Sequence, residues 1–537
     1  MINSTTTEAI RTTRRKVAAL INIGKQSLRS IGQIIDRPKS TVHRHLKSQA
    51  FRDQYPESYF WETEAGEAWL RRMVLGVLFI FGMQHAVGAD SLSDFFKLIR
   101  INTHVGVSAT AMLSLLNRME SLLIYFQDFC EKSLPPGTRK AVLAMDETFF
   151  GSLLILVLMD LSSGYLLLES IEDDRSFDTW LKQAKPRLEA LGIDVGHAIS
   201  DRAKALIKLA VDGFDCAPGA DVFHEQYGLS RWLGSALGRR KTQAEKRRAA
   251  AQKAVDKTNE TNKAELEAHH TDTMAECAQT EITLQDYRTN LAGISEDLHP
   301  FSLDTHQCNT AASVTEKLIQ RVDALENIAK EQGIVDKYNA VQKFRNQIPS
   351  LATHVSFWWL WVEQLLLDFG VDQPTYDWLT DKLLPVVYWH YHRHKTKNPS
   401  QRKRYQSAWR HTLEVFKDDS FWESLGESEQ QHWLEWAEWM VRQFHRSSSA
   451  VEGRNGHLSQ LYHKGRGVTK TRLKARTVIH NYWEKRSDDT TAAERLFNTQ
   501  FPDLFEWLVD QMGELPLPRK ARQHVVRNPL KLLSVPA

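Results

Sequence analysis

Apolar residues near the start of the chain recur at helical intervals. Leu28, Ile31, Ile34 and Ile35 form one stripe, Asp36-Arg37 interrupts it, and Val42 and Leu46 share one face of a second stripe. Such spacing predicts two short helices, and Pro38 suits the opening of the second, where its missing N–H costs nothing. Residues 51–135 continue mostly in helical period. Within them, 92–120 admits either a second helix-turn-helix, with Gly106 at the turn and Ser108 as cap, or a plain helical spacer. The run MVLGVLFIFGM at 73–83 is shorter than the ~20 residues a membrane span needs and predicts a buried helix.

After Pro135-Pro136-Gly137 the pattern changes. RKAVLAMDETFF (139–150) is an apolar run ending in acid, and 152–174 holds two more around Ser162-Ser163-Gly164, a hairpin signal. Residues 176–192 predict a helix with Ser176 as cap and Gly192 as stop, weakened or kinked by Pro186. A buried strand at 195–201, an amphipathic helix at 202–213 and a fifth strand at 220–226 complete a β-β-β-α-β-α-β order. From about 230 to 440 only helical period is visible. Cys277, Leu284 and Leu291 stand seven apart with Tyr287 and Ile294 on the same stripe, the mark of a packed face on a long helix pair. Leu318, Val322, Leu325 and Ile328 repeat it, and Trp433, Trp436 and Trp439 recur every three residues, which favours helical core over a base-stacking surface.

Charge sharpens this outline. The 537-residue chain carries a net charge of only +3, yet residues 1–50 hold ten Lys and Arg against Glu8 and Asp36. A basic head on the helix pair points to a polyanion partner, and Lys39, Ser40, Thr41, His43, Arg44 and Lys47 occupy the polar faces of its second helix as candidate DNA contacts. The four cysteines are widely separated, with no CxxC, which argues against structural zinc and a disulfide framework and fits a reducing cytoplasm. The opening residues are polar and basic, unlike a secretory leader.

Two acids stand at predicted strand ends, Asp146 after AVLAM and Asp201 after GHAIS. In an open sheet such positions face the crevice where ligands bind. Adjacent carboxylates repel unless a cation joins them, and Mg²⁺ does so through oxygen ligands. Asp201 precedes a helix and reads equally as its cap.

These motifs resemble those of the DDE transposases of bacterial insertion sequences. The likeness rests on the basic helix-turn-helix, LAMDET, ISDRAKAL, DVFHEQYGLSRWL and SAVEGRNGHL, in that order. It implies an α/β ribonuclease H-like core with a mixed five-stranded sheet, interrupted by a large all-α insertion. It implies a catalytic and metal-binding triad of Asp146, Asp201 and Glu452, holding two Mg²⁺ or Mn²⁺ ions. Glu363, Glu435 and Glu438 are weaker rivals for the third place, lacking the basic setting of Glu452. Arg202, Lys204, His224 and Arg454 become further candidate DNA contacts. The implied partners are transposon ends and target DNA, paired by a homodimer or higher homo-oligomer, with no membrane, in the bacterial cytoplasm. The implied domains are the head (1–50), a helical linker (51–135), the first part of the core (136–229), the insertion (230–440), the last core helix (441–490) and a tail (491–537). In one branch of the family Tyr and Arg precede the Glu and Lys follows it. Here Ser449, Arg446 and His445 precede Glu452 and Ser459 follows, so the likeness does not extend to that branch's hairpin-forming cleavage. Two other classes fit the same motifs: a DNA-binding protein descended from a transposase but no longer catalytic, and a metal-dependent nuclease on the same fold.

Overall fold

The structure, a computed structural model, describes residues 4–24, 26–52, 55, 57–257, 262–464 and 466–518. It divides into two compact units, residues 1–134 with 458–537, and residues 135–457.

The first unit is helical. Helices Ser4–Ile23, Leu28–Ile34 and Lys39–Arg52 close around Val17, Ile31 and Val42, with Leu20, Ile21, Leu28, Ile35 and Leu46 packed against them. The expected helix pair is therefore present, with a third helix behind it. Its turn is tight: Arg37 N–H donates to the Gly32 carbonyl at 2.8 Å, and a Cβ on Gly32 would lie 2.6 Å from the Arg37 oxygen. The Pro38 carbonyl accepts the first bonds of the second helix, from Thr41 and Val42. Residues 73–83 are helical, and Val74, Leu75, Leu78, Phe79 and Met83 are buried. Ser108 caps Ala109–Lys132 as expected, accepting from Ala111 N–H. No helix among the described residues is long and apolar enough to cross a membrane.

The expected domain boundaries need correction here. Residues 1–50 and 51–135 are not separate bodies, because Arg11 pairs with Glu67 at 2.6 Å and donates to the Leu515 carbonyl at 2.8 Å. Residues 458–490 pack in this unit and not with the core: Arg466 and Arg472 both reach Glu120, and Phe79 meets Trp483 edge to face. The tail carries two short helices, Ala492–Phe497 and Leu504–Gln511, and its last part, 519–537, lies outside the described residues.

The second unit holds the sheet. Its strands are β1 (Arg139–Phe150), β2 (Leu153–Asp160), β3 (Leu166–Glu172), β4 (Ile193–Ser200) and β5 (Ala217–Ala220), in the order β3-β2-β1-β4-β5. β1 and β3 run antiparallel to β2, whereas β4 is parallel to both β1 and β5. β2, LLILVLMD, is buried along almost its whole length, as a strand covered on both faces must be. Helix Phe177–Leu191 covers part of the sheet, capped by Ser176 and stopped by Gly192 in a left-handed conformation, both as the sequence predicts. Pro186 is accommodated within it.

The fifth strand differs from expectation. It lies at 217–220, and 222–229 is helix, because Asp221 accepts from Phe223 N–H and starts the helix there. The strand sequence, APGA, reads as a break, but an edge strand tolerates Pro. Gly219 has a specific use: a Cβ there would sit 2.5 Å from the His354 ring and 2.6 Å from that of His197. His354, on the long helix Ala340–Phe369, donates from Nε2 to the Ala220 carbonyl at 2.8 Å and meets His197 Nε2 at 2.9 Å through Nδ1. With Nε2 donating to Ala220, Nδ1 of a neutral His354 accepts from His197 Nε2.

A pH dependence follows. Burial lowers the His354 pKa to about 4, and burial and His354 itself hold that of His197 well below its ordinary value. A depressed folded pKa contributes stability above the unfolded value and loses it as pH falls through the folded one. Between roughly pH 6.5 and 4 the second unit is expected to lose about 3 kcal/mol at His354. Thermal unfolding across that window should show the acid limb flattened in His354→Gln; an identical limb would exclude the pair as its source.

The regular elements of the insertion among its described residues are helices, joined by loops of which one carries the isolated bridge between Phe301 and Cys308. Helices Ser235–Lys257 and Lys263–Asp297 pair through Leu237, Ala244 and Ala251 on one side and Leu284, Tyr287 and Ile294 on the other. Of the tryptophan triplet only Trp436 is core; Trp439 is 42% exposed.

Candidate active site

The parallel register pairs Ala144 of β1 with Ile199 of β4. Two residues further stand Asp146, which is inside β1 opposite Val157 of β2 and not at a strand end as expected, and Asp201, the first residue past β4. Continuing the register would place them on neighbouring strands about 4.8 Å apart. Asp146 Oδ1 accepts from the Glu147 amide at 2.8 Å, and Oδ2 accepts from Asn455 Nδ2 at 2.7 Å. Asp201 is exposed, and its Oδ1 accepts from Ala203 N–H at 3.0 Å, so it also shapes the turn before helix Lys204–Lys208. The N-cap position of that helix is Ala203, so Asp201 is not its cap as the alternative reading expected.

Glu452 lies in the first turn of helix Ser449–Tyr462, half-buried, with Oε1 3.3 Å from His224 Nε2. Burial pushes the Asp146 carboxyl up to about 6; the Glu147 amide and His224 oppose this, and Asp201 and Glu452 add to it. Glu452 is raised too, by burial and then by Asp221. Burial likewise takes Glu225, beside His224, to about 7. Asp146 thus feels the negative charge of both Asp201 and Glu452, partly offset by His224, and such a grouping of acids attracts a cation. The rival acids lie elsewhere: Glu435 accepts from Gln431, and Glu438 faces Arg442 along one exposed helix.

Two observations test whether a divalent cation suits these residues. Asp146, Asp201 and Glu452 are all hard oxygen donors, the set Mg²⁺ and Mn²⁺ take. The buried Asn455 Oδ1, on the amide that holds Asp146, has no hydrogen-bond partner. The residues fit. Among the described residues the donors that lie within 4.8 Å of one another are a different trio, Asp221, His224 and Glu452, which includes neither Asp146 nor Asp201. Asp221 Oδ1 accepts from Phe223 N–H, and Oδ2 from the amide and hydroxyl of Ser448, so this buried carboxylate is engaged as a structural acceptor.

The candidate DNA contacts divide. Lys39, Ser40, His43, Arg44 and Lys47 are exposed on their helix and Thr41 is partly so; Lys204 is exposed at the sheet edge. His224 is 41% exposed but engages Glu452. Two arginines are corrected. Arg202 turns inward onto the Ser350 hydroxyl and the Pro218 carbonyl. Arg454 is buried in a two-bond pair with Glu169 of β3, at 2.7 and 2.8 Å. A lone buried charge costs several kcal/mol, so this arginine serves Glu169 and not a phosphate.

Sequence reasoning missed Asp221 and Asn455. Asp221 was hidden because its segment reads as strand. Asn455 had a signal, standing three residues after Glu452 on the same helix face. The chain matches no curated protein. A family of unknown function (DUF6399) matches residues 379–524, a span that includes Glu452 but neither Asp146 nor Asp201.

Proposed function

We propose that this protein is a DNA-end-processing enzyme of the DDE transposase kind, built on a ribonuclease H-like core. The observation that supports the reading is that Asp146 of β1 feels the charges of both Asp201, just past the neighbouring β4, and Glu452, in a sheet of order β3-β2-β1-β4-β5. Asp146, Asp201 and Glu452 would hold the divalent ions. Bound there, such ions supply Lewis acidity and a more acidic water for phosphodiester displacement.

The chain's own groups orient the reaction. Asn455 fixes one oxygen of Asp146, and His224 stands beside Glu452 at 3.3 Å. Lys204 offers a positive charge to a strand lying along the sheet edge. Water attacks phosphorus at the element's end, the P–O bond to the 3′ oxygen breaks, and a 3′-OH is freed. That hydroxyl then displaces a 3′ oxygen in target DNA, so one phosphodiester forms as another breaks.

The test uses the full chain, Mg²⁺ and a duplex ending in the inverted repeats that flank the coding region. The expected result is a single-strand nick leaving a 3′-OH that joins a second duplex. Cleavage without joining would make the protein a nuclease; intact substrate with both Mg²⁺ and Mn²⁺ would overturn the reading.

A further inference from the structure

Glu452 stands far from Asp146 in sequence, and the whole helical insertion lies between β5 and its helix. Something must fix that helix against the sheet. Three side-chain bonds do so, each to a carboxylate: Ser448 to Asp221 at the end of β5, Arg454 to Glu169 of β3, and Asn455 to Asp146 of β1.

The first differs from the others in where it acts. The Ser448 carbonyl accepts from the amides of Val451 and Glu452, at 2.8 and 3.2 Å, so Ser448 starts the turn that carries Glu452. Its own amide and hydroxyl both donate to Asp221 Oδ2. The other oxygen of Asp221 accepts from Phe223 N–H at 2.7 Å and starts helix Val222–Leu229, which carries His224. One carboxylate thus joins the beginnings of two helices, and their first turns bring His224 and Glu452 to 3.3 Å. Asp221 and Ser448 are each 1% exposed, so water does not compete for these bonds. The chain before Ser448 is tied as well. The Arg446 carbonyl accepts from Val222 N–H at 3.2 Å, and its guanidinium donates to the carbonyls of Ser295 and Leu298, where helix Lys263–Asp297 ends.

We infer that Asp221 and Ser448 form a buried clamp that positions Glu452 beside His224 and Asp146, closing the active site across the insertion. This rests on the catalytic reading above. Asp221 is a positioning residue and not a ligand. Partners that orient a metal-binding side chain typically carry 10–100-fold in metal affinity or activity.

The experiment compares Ser448→Ala, Ser448→Thr and Glu452→Gln in the full chain. Hydrogen exchange of the amides at 449–453, Mn²⁺ affinity by the paramagnetic signal of the free ion, and cleavage kinetics are read on each. Ser448→Ala is expected to speed exchange in that turn. It should weaken Mn²⁺ about tenfold or more and lower kcat similarly, with KM for DNA within about twofold. Ser448→Thr, which keeps the hydroxyl, should restore all three. Because Asp221→Asn removes the acceptor of two helix starts and risks unfolding, Ser448→Ala with an unchanged melting profile is the deciding variant. If it keeps wild-type exchange, Mn²⁺ affinity and kcat while Glu452→Gln loses Mn²⁺ and cleavage, the clamp is overturned and the catalytic reading stands. If Glu452→Gln itself keeps Mn²⁺ affinity and cleavage, the catalytic reading falls, and the clamp with it.

Discussion

Glu452→Gln is expected to lower Mg²⁺-dependent strand cleavage at least about a thousandfold while leaving DNA affinity within about twofold. The size follows from the chemistry. Losing a metal-bound carboxylate removes several kcal/mol of transition-state stabilisation, and each 1.4 kcal/mol is tenfold in rate. Glutamine keeps the shape, and the bonds that seat the helix run through Ser448, Arg454 and Asn455, none of which the change touches. The melting profile should therefore hold. Asp146→Asn and Asp201→Asn are expected to lose as much, and any double variant no more than the worse single, because groups acting as one unit are not additive. Cleavage within tenfold of wild type in Glu452→Gln would remove Glu452 from the site. Equal binding by all the variants separates catalysis from DNA recognition, which belongs to other residues.

What could be read in advance had a local cause. The hairpin at Ser162–Gly164, the caps at Ser176 and Ser108 and the stop at Gly192 depend on a few neighbouring residues, and all are as expected. Asp146 and Asp201 were legible because each ends an apolar run, and continuing the parallel register would place them on neighbouring strands. Long-range pairing was not legible. Nothing near Arg454 in sequence reveals Glu169, and nothing near Asp221 reveals Ser448. An arginine after a catalytic Glu looks like a phosphate contact until burial is known. Residues 458–490 read as part of the core, yet Glu120 draws Arg466 and Arg472 into the other unit. The proposed site acids were named from sequence, whereas Asp221 and Ser448, which join the turns carrying His224 and Glu452, were not.

Replacing Lys39, Arg44 and Lys47 together by alanine is expected to weaken DNA binding about a hundredfold near physiological salt. Deleting residues 1–50 is the poorer test, since it would also remove Arg11 from Glu67 and from the Leu515 carbonyl. The three replaced side chains are exposed, whereas the packing of this three-helix head rests on Val17, Ile31 and Val42. A change in affinity would then report lost contacts and not lost fold. Each phosphate neutralised by Lys or Arg contributes about 0.9 to the slope of log affinity against log salt. Three lost contacts should reduce that slope by about 2.7, with the same fall on specific and unrelated duplexes. Ser40, Thr41 and His43 lie on the same exposed stretch and suit base edges better than phosphates. His43→Ala should narrow the gap between specific and unrelated DNA while leaving the salt slope alone. A triple variant with an unchanged slope would exclude this helix from the DNA interface. A slope that falls in the triple variant while cleavage per bound complex stays constant would show that the head binds and the carboxylates cut.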